Sequence, residues 1–572
     1  MIRTSPAIVA QNAVRPLPRW ALLLLCVAYV VPGFVGRTPW RGDDMAAFGF
    51  MRALALGHTD WLAPLLAGMP PETDGLLPYW LGAWGLRIAG LWLPAELASR
   101  LPFVALLALT LTCTWWAVYH LARSPQAQPV AFAFGGEAEP RDYARAIADG
   151  ALLALMASLG LAQFSHETTG YLAQLTGTAL LLYAAAALPA RRLLPALAAA
   201  GGLLGLTLSG APSAALLLGL GSSAVAWRGG ASGTPTPARH AAAALLLALT
   251  LAAALVAWWL DLWRWRIVLP GTQDAGSLAR LLLWFSWPTW ALALWTLWRW
   301  RHQFLARPRP RHLLLPLWFA LVALAATLAT RPADRALLQG LPAFAALAAF
   351  ALPTLKRGFS AVIDWFTLLF FSVSAIAIWV VWLAVQTGVP AKPAANVARL
   401  APGFESHFAA LPLFIALAAT LAWCALVRWR TARHRAAIWK SMVLPASGAT
   451  LGWVLLMTLW LPLLDYGRSY APQVALLRQA IDNARDGAPA SADDCVAGYG
   501  LDQPLVAALI YHGGLRMATP AMAPQCDWAV VDPDTTDVSA VLPARVWHQV
   551  AIVTRPTDRR DQLVVLHRRH AR

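Results

Sequence analysis

Residues 20–56 read WALLLLCVAYVVPGFVGRTPWRGDDMAAFGFMRALAL, and this stretch decides how the rest of the chain is interpreted. Its first part, 20–36, is apolar and long enough to cross a hydrocarbon core. Arg15 and Arg19 precede it, Arg37 and Arg41 close it, and two adjacent carboxylates, Asp43 and Asp44, open a segment to Leu56 with amphipathic helical spacing. The pattern predicts a span that reaches an interface and continues as a helix lying in that interface. A secretory leader begins in the same way, but this run lacks a small-residue cleavage site, and Pro32 and Gly33 are soon followed by Arg37. Residues 20–36 are therefore expected to be an uncleaved first span.

Outward from that stretch the apolar character continues. The chain of 572 residues is 59% apolar and 13% charged, with a mean hydropathy of +0.55; soluble domains run at about 45–50% and about 25%. A water-soluble fold is excluded on this balance. The net charge of +17 does not mark a nucleic-acid binder, because the arginines sit at the ends of apolar runs rather than along one stripe. Clusters at Arg15 and Arg19, at Arg191 and Arg192, from Arg299 to Arg311, at Lys356 and Arg357, and from Arg428 to Arg435 orient the chain by the positive-inside rule. The N-terminus is expected in the cytoplasm.

Spans are predicted at 20–36, 101–120, 148–163, 171–188, 193–208, 211–227, 241–260, 281–298, 313–330, 336–355, 359–385, 411–427 and 442–464, about 13 in all. An odd number places the C-terminus outside. The sequence divides into a membrane region, 1–465, holding a long external first loop at 37–100, and a polar C-terminal α/β domain, 466–572. In the loop, 43–56 and 76–91 are candidate juxtamembrane helices, with Trp61, Trp80, Trp84 and Trp92 as interfacial anchors. In the C-terminal domain, 472–484 has helical spacing, and 528–531, 546–553 and 562–566 have strand character. No convincing discontinuous span or inverted repeat is evident.

Of five cysteines, Cys26, Cys113 and Cys424 lie within spans. Cys495 and Cys526 lie in the C-terminal domain, in an oxidising compartment by this topology, and are expected to pair.

Charged groups beside a bilayer are costly, which makes Asp43 and Asp44 functional candidates. An adjacent pair suits a general base or a divalent-cation ligand; it equally suits the cap of the helix that begins at Met45. Glu167, in Ser165-His166-Glu167-Thr168-Thr169, is a second acidic candidate or a carboxylate favoured at a helix start. His166 beside it has no second ligand at a fixed spacing. Arg264, Arg266, Arg331 and Arg335 at external span ends suit either an anionic phosphate or snorkelling toward lipid headgroups. Trp263, Trp265 and Tyr499 could stack on sugar faces. A Walker-type loop and a zinc-binding His-Glu-x-x-His helix are both missing, which leaves an ATP-driven pump or zinc hydrolase unsupported.

The acidic pair opening an amphipathic helix, Gly57 through Trp61 with Pro64, Gly68-Met69-Pro70, Leu77-Pro78-Tyr79-Trp80, and Arg100-Leu101-Pro102 at the second span together resemble the first loop of the C-type glycosyltransferases. The likeness is to aminoarabinose-lipid A transferases and to protein O-mannosyltransferases, and Trp287-Pro288, Arg335 and Leu341-Pro342 extend it along the chain. It implies an all-α polytopic GT-C fold in a bacterial inner membrane, with a small periplasmic C-terminal domain. It also implies inverting transfer of a sugar from an undecaprenyl-phosphate-type donor to a lipid A, glycan or protein acceptor. On this resemblance Asp43 matches the family base, with Asp44 and Glu167 assisting. Arg264, Arg266, Arg331 and Arg335 would hold the donor phosphate, and Tyr79, Trp80 and His166 would line the substrate pocket. Two family lysines are replaced, by Asp74 and Ser209. The rival functions are a transporter or flippase, and a non-catalytic membrane scaffold.

Overall fold

The computed structural model describes residues 5–72, 75–228, 236–263, 267–268, 275–305, 309–330, 333–431, 437–485, 495–519 and 521–569. The helices in chain order are α1 (Arg19–Val30), α2 (Asp43–Ala55), α3 (Leu77–Ala89), α4 (Ala95–Ala122), α5 (Pro140–Ala157), α6 (Leu159–Phe164), α7 (Gly170–Ala187), α8 (Leu193–Leu208), α9 (Pro212–Arg228), α10 (Thr236–Trp259), α11 (Ala275–Phe285) and α12 (Thr289–Arg299). They continue as α13 (Arg311–Ala329), α14 (Ala333–Leu338), α15 (Leu341–Ala351), α16 (Arg357–Thr387), α17 (Ala391–Leu400), α18 (Ala410–Thr431), α19 (Lys440–Leu456), α20 (Leu461–Arg468), α21 (Ala471–Ala484) and α22 (Gln503–Tyr511). The chain forms two compact units, residues 1–34, 103–377 and 411–458 in one and 35–102, 378–410 and 459–572 in the other.

The first unit is a helical bundle. Its packed pairs include α7 with α8, α9 with α10, α12 with α15, and α5 with α15 and α19. Small residues set the closest approach. A Cβ placed on Gly177 would lie 2.9 Å from the Gly202 carbonyl oxygen, and one on Gly202 would lie 2.8 Å from that of Gly177. Such contacts hold helices together where apolar burial alone gives no preference over lipid.

Five helices among the described residues are long and apolar enough to cross a bilayer, or six if a bent pair counts as one span. The chain is a multi-pass helical membrane protein; the figure of about 13 crossings is a sequence expectation that helix length does not establish. Several predicted spans are interrupted: 148–163 at Ser158, 281–298 at 286–288, 336–355 at 339–340 and 442–464 at 457–460. This corrects the reading that no span is discontinuous. Periodicity does not register a break when the residues on both sides stay apolar. Two breaks satisfy each other, because Leu159 N donates to the Trp287 carbonyl at 3.3 Å and the Ser158 hydroxyl meets that of Thr289 at 3.3 Å. Backbone groups freed inside a membrane need such partners.

The second unit joins the first loop to the C-terminal segment. Helix α2 packs on α3 and α22, and a Cβ on Gly49 would lie 2.6 Å from that of Ala507, so glycine permits the α2–α22 contact. The C-terminal sheet comprises β1 (Val496–Tyr499), β2 (Trp528–Val531), β3 (Trp547–Arg555) and β4 (Asp558–Arg568) in the order β1-β2-β4-β3. Strands β1 and β2 are parallel, whereas β4 is antiparallel to both neighbours. Strand β1 and helix α22 were absent from the sequence reading; both are too short for a periodic signal. Cys495 and Cys526 are joined by a disulfide in this core.

Candidate functional site

The polypeptide after α1 turns sharply. Gly42 adopts φ +87°, a conformation that side chains disfavour, and Asp43 and Asp44 form the first turn of α2. The turn separates the fates of the two carboxylates. Asp44 is buried, with 2% of its surface accessible, while Asp43 is partly exposed. Asp44 Oδ2 accepts the Trp40 backbone N–H at 3.0 Å and lies 3.2 Å from Arg37 Nη2 and 3.9 Å from Arg100 Nη2. Arg100 also donates to the Arg37 carbonyl at 2.5 Å. One buried anion is thus held between two buried cations, and a carboxylate in that position is committed to ion pairing. A proton acceptor has to be reached by substrate, which favours Asp43.

The loop that carries the pair is tied from the C-terminal side. Asp465 Oδ1 accepts from Thr38 N at 3.0 Å, the Thr38 hydroxyl at 2.9 Å and Trp40 Nε1 at 3.0 Å. Arg41 pairs with Asp561 at 3.1 Å, and Asp561 also takes Arg555 at 3.4 Å and Gln473 Nε2 at 3.1 Å. The guanidinium of Arg37 lies 4.5 Å from the Trp40 ring centre, and that of Arg468 4.9 Å. Burial and the nearby Asp502 push the Tyr470 phenol up to about 12, so it stays neutral under the Arg41 and Arg555 guanidinia.

In the bundle unit, Glu167 meets Arg335 at 3.4 Å. The Arg335 guanidinium also lies 5.5 Å from the Phe164 ring and 5.3 Å from that of Tyr171. A buried polar relay, Gln339 Nε2 to Gln174 Oε1 at 2.6 Å and Gln174 Nε2 to the Ser209 carbonyl at 2.7 Å, links the break between α14 and α15 to the turn after α8. His166 is almost fully buried, with its ring against Phe34 and Trp453. Its nitrogens face the carbonyls of Ala162 at 2.5 Å, Tyr29 at 3.1 Å and Val30 at 3.2 Å, a fastening role for the end of α1.

Tyr79 and Trp80 lie on α3 and meet α2 and the loop after it. Tyr79 is buried with its ring 5.2 Å from that of Phe50, and Trp80 Nε1 donates to the Trp61 carbonyl at 2.7 Å. Arg264, Arg266, Arg331, Asp74 and Trp265 lie outside the described residues. Among the described residues no group of three His, Cys, Asp or Glu side chains is gathered for a metal ion. Sequence reading missed Arg37 and Asp465 as partners of the acidic loop and treated Arg100 only as part of a motif. The available signal was charge: each of the three sits at the edge of an apolar run, where an ionised group needs a partner.

The architecture is that of a C-type membrane glycosyltransferase fold, a helical bundle with an acidic first loop and a small C-terminal sheet domain. Two solved structures share it, both of ArnT from Cupriavidus metallidurans, one bound to undecaprenyl phosphate and one in the apo state. Each covers 96% of this chain and 98% of that chain with a TM-score of 0.58, at 15% and 14% identity. No protein-family model and no curated protein matches the chain.

Proposed function

We propose that this protein is an inverting glycosyltransferase that moves a sugar from a polyprenyl-phosphate lipid to a lipid, glycan or protein acceptor at the periplasmic face of a bacterial inner membrane. The observation that carries the reading is the division of the acidic pair: Asp44 is buried against Arg37 and Arg100, and Asp43 is left partly exposed beside it. The fold shared with ArnT, solved with undecaprenyl phosphate, supports the class of donor.

In the proposed reaction Asp43 takes the proton from the acceptor's nucleophilic group. The acceptor atom bonds to the anomeric carbon from the face opposite the phosphate. The carbon–oxygen bond to phosphate breaks, its electron pair leaving with the polyprenyl phosphate. Positive charge on the leaving group lowers the barrier, because a preorganised cation stabilises charge as it develops. Arg335 is assigned that role, with Glu167 holding its guanidinium. All these steps draw on side chains of the chain itself. The N-terminus is assigned to the cytoplasm and the C-terminal domain to the periplasm.

Asp43→Asn is expected to lower transfer from a polyprenyl-phosphate sugar by about 10²–10⁴-fold, the usual worth of a general base, with an unchanged melting curve. Full activity in that variant would sink the mechanism. The interrupted helices in the bundle also suit a transporter of lipid-linked solute. That second reading requires solute or lipid movement across proteoliposomes that survives Asp43→Asn, with no transfer product in either protein.

A further inference from the structure

Helix α2 presents a second face away from Asp43. Its C-terminal half, the loop after it and α22 enclose a cavity of about 190 Å3 within the second unit. The walls are mostly apolar, from residues such as Leu56, Leu65, Leu66 and Ile510, and the charged or titratable side chains on them are Arg52, His58 and Tyr511. The Tyr511 hydroxyl is already engaged, 2.5 Å from Glu96 Oε1, and its phenol is pushed up by burial and by that carboxylate. Arg52 differs. Among the described residues its guanidinium has no hydrogen bond or ion pair and lies 5.2 Å from the Tyr511 ring centre. A half-buried guanidinium with donors unspent beside an apolar cavity selects an anion attached to an apolar body.

The mouth of the cavity indicates where that body comes from. Leu56 and Leu65 line the cavity and are also 54% and 45% exposed, and Leu62 beside them is 58% exposed. The opening is therefore continuous with an apolar surface, on a loop whose tryptophans and leucines have the character of a membrane-interface segment. The wall includes Ala67, whose φ of +49° lies in the left-handed region, where a non-glycine residue is strained. Strain of this kind tends to persist where surrounding structure holds a functional shape. At about 30 Å3 per water the cavity has the room of roughly six waters, a headgroup and the first carbons of a chain rather than a whole lipid.

We propose that this cavity is a site for the phosphate headgroup of an anionic membrane lipid, with Arg52 and His58 taking the phosphate and Leu56, Leu65, Leu66 and Ile510 holding the start of the apolar body. It lies apart from Asp43 on α2 and does not depend on the glycosyltransferase reading. An anchored headgroup here would tie the first loop to the bilayer surface.

Binding can be read without any activity assay. The full-length protein in detergent micelles is titrated with phosphatidylglycerol and, separately, with diacylglycerol, and bound lipid is counted by native mass spectrometry. One tightly retained phosphatidylglycerol is expected, with diacylglycerol at least tenfold weaker. Arg52→Gln should weaken phosphatidylglycerol at least fivefold. Ala53→Leu, which fills the cavity and keeps the charge, should do the same and carries the test if Arg52→Gln does not fold. Equal retention in wild type and both variants overturns the site. Displacement of the lipid by an equal concentration of inorganic phosphate overturns the lipid assignment in favour of a free anion.

Discussion

Two acidic groups in this protein are paired with arginine in different ways. In the first loop, Asp44 is shared by Arg37 and Arg100, all three side chains are at most 2% exposed, and a backbone N–H adds a further bond. In the bundle, Glu167 meets Arg335 at 3.4 Å, and the two side chains are 10% and 20% exposed. The first cluster is closed to solvent, so it behaves as a fastener that sets the start of α2 and presents Asp43. The second keeps partial access to solvent, and an arriving anion could reorganise it. Equal residue types thus serve structure in one place and suit ligand binding in the other, and burial makes the difference.

The contrast can be broken by experiment. Asp44→Asn removes the buried carboxylate charge that two buried guanidinia share, for which a loss of about 3–5 kcal/mol is expected. The check is thermal melting of the purified protein in detergent, and wild-type melting would refute the fastener. Arg335→Gln should cost less, about 1–3 kcal/mol, because Glu167 keeps some access to water. Its larger effect is expected on transfer itself, with kcat for a polyprenyl-phosphate sugar lowered about 10²–10³-fold and KM changed less; an unchanged kcat would place Arg335 with the merely structural arginines.

The smallest effect concerns pH. Burial lowers His512 below its ordinary value of 6.5, so the folded state favours neutral imidazole while the unfolded chain takes a proton below that value. The second unit should therefore lose stability as pH falls through 6.5, and stop losing it once the folded histidine also protonates. His512 follows Tyr511 at the end of α22, which backs α2. Between pH 7.5 and 5.5 the opening free energies read from hydrogen exchange, corrected for the pH dependence of the intrinsic rate, should fall in α2 and stay level in α7, and His512→Gln should flatten the response. Equal falls in both helices would show that the two regions do not soften separately.

The regions also differ in how legibly the sequence describes them. Helices α4, α7, α8, α9, α10, α13, α16 and α18 fall close to the apolar runs that predict them, since span character depends on residues near one another in the chain. The breaks at Ser158 and 286–288 were not legible, because the carbonyl of Trp287 that meets Leu159 comes from far along the chain. Tyr79 and Trp80 carry the spacing of a motif, and their contacts with Phe50 on α2 and with the Trp61 carbonyl come from parts of the chain that spacing does not reveal. Helix α17 was missed entirely: its ten residues do segregate apolar and polar side chains at helical spacing, but they are few, all at least partly exposed, and set in a polar connection between two apolar runs.

Hydropathy and the placement of arginine, read from the sequence alone, determined that this is a helical membrane protein with an acidic first loop and a distinct polar C-terminus. Both are local properties, summed over a few turns. Only the tertiary structure decided which of two adjacent carboxylates is committed to structure. That choice depends on Arg37 and Arg100, 63 residues apart, arriving on the same side of Asp44. The energy of a charge is set by the partners and the water around it in space, and neighbours in sequence do not reveal them.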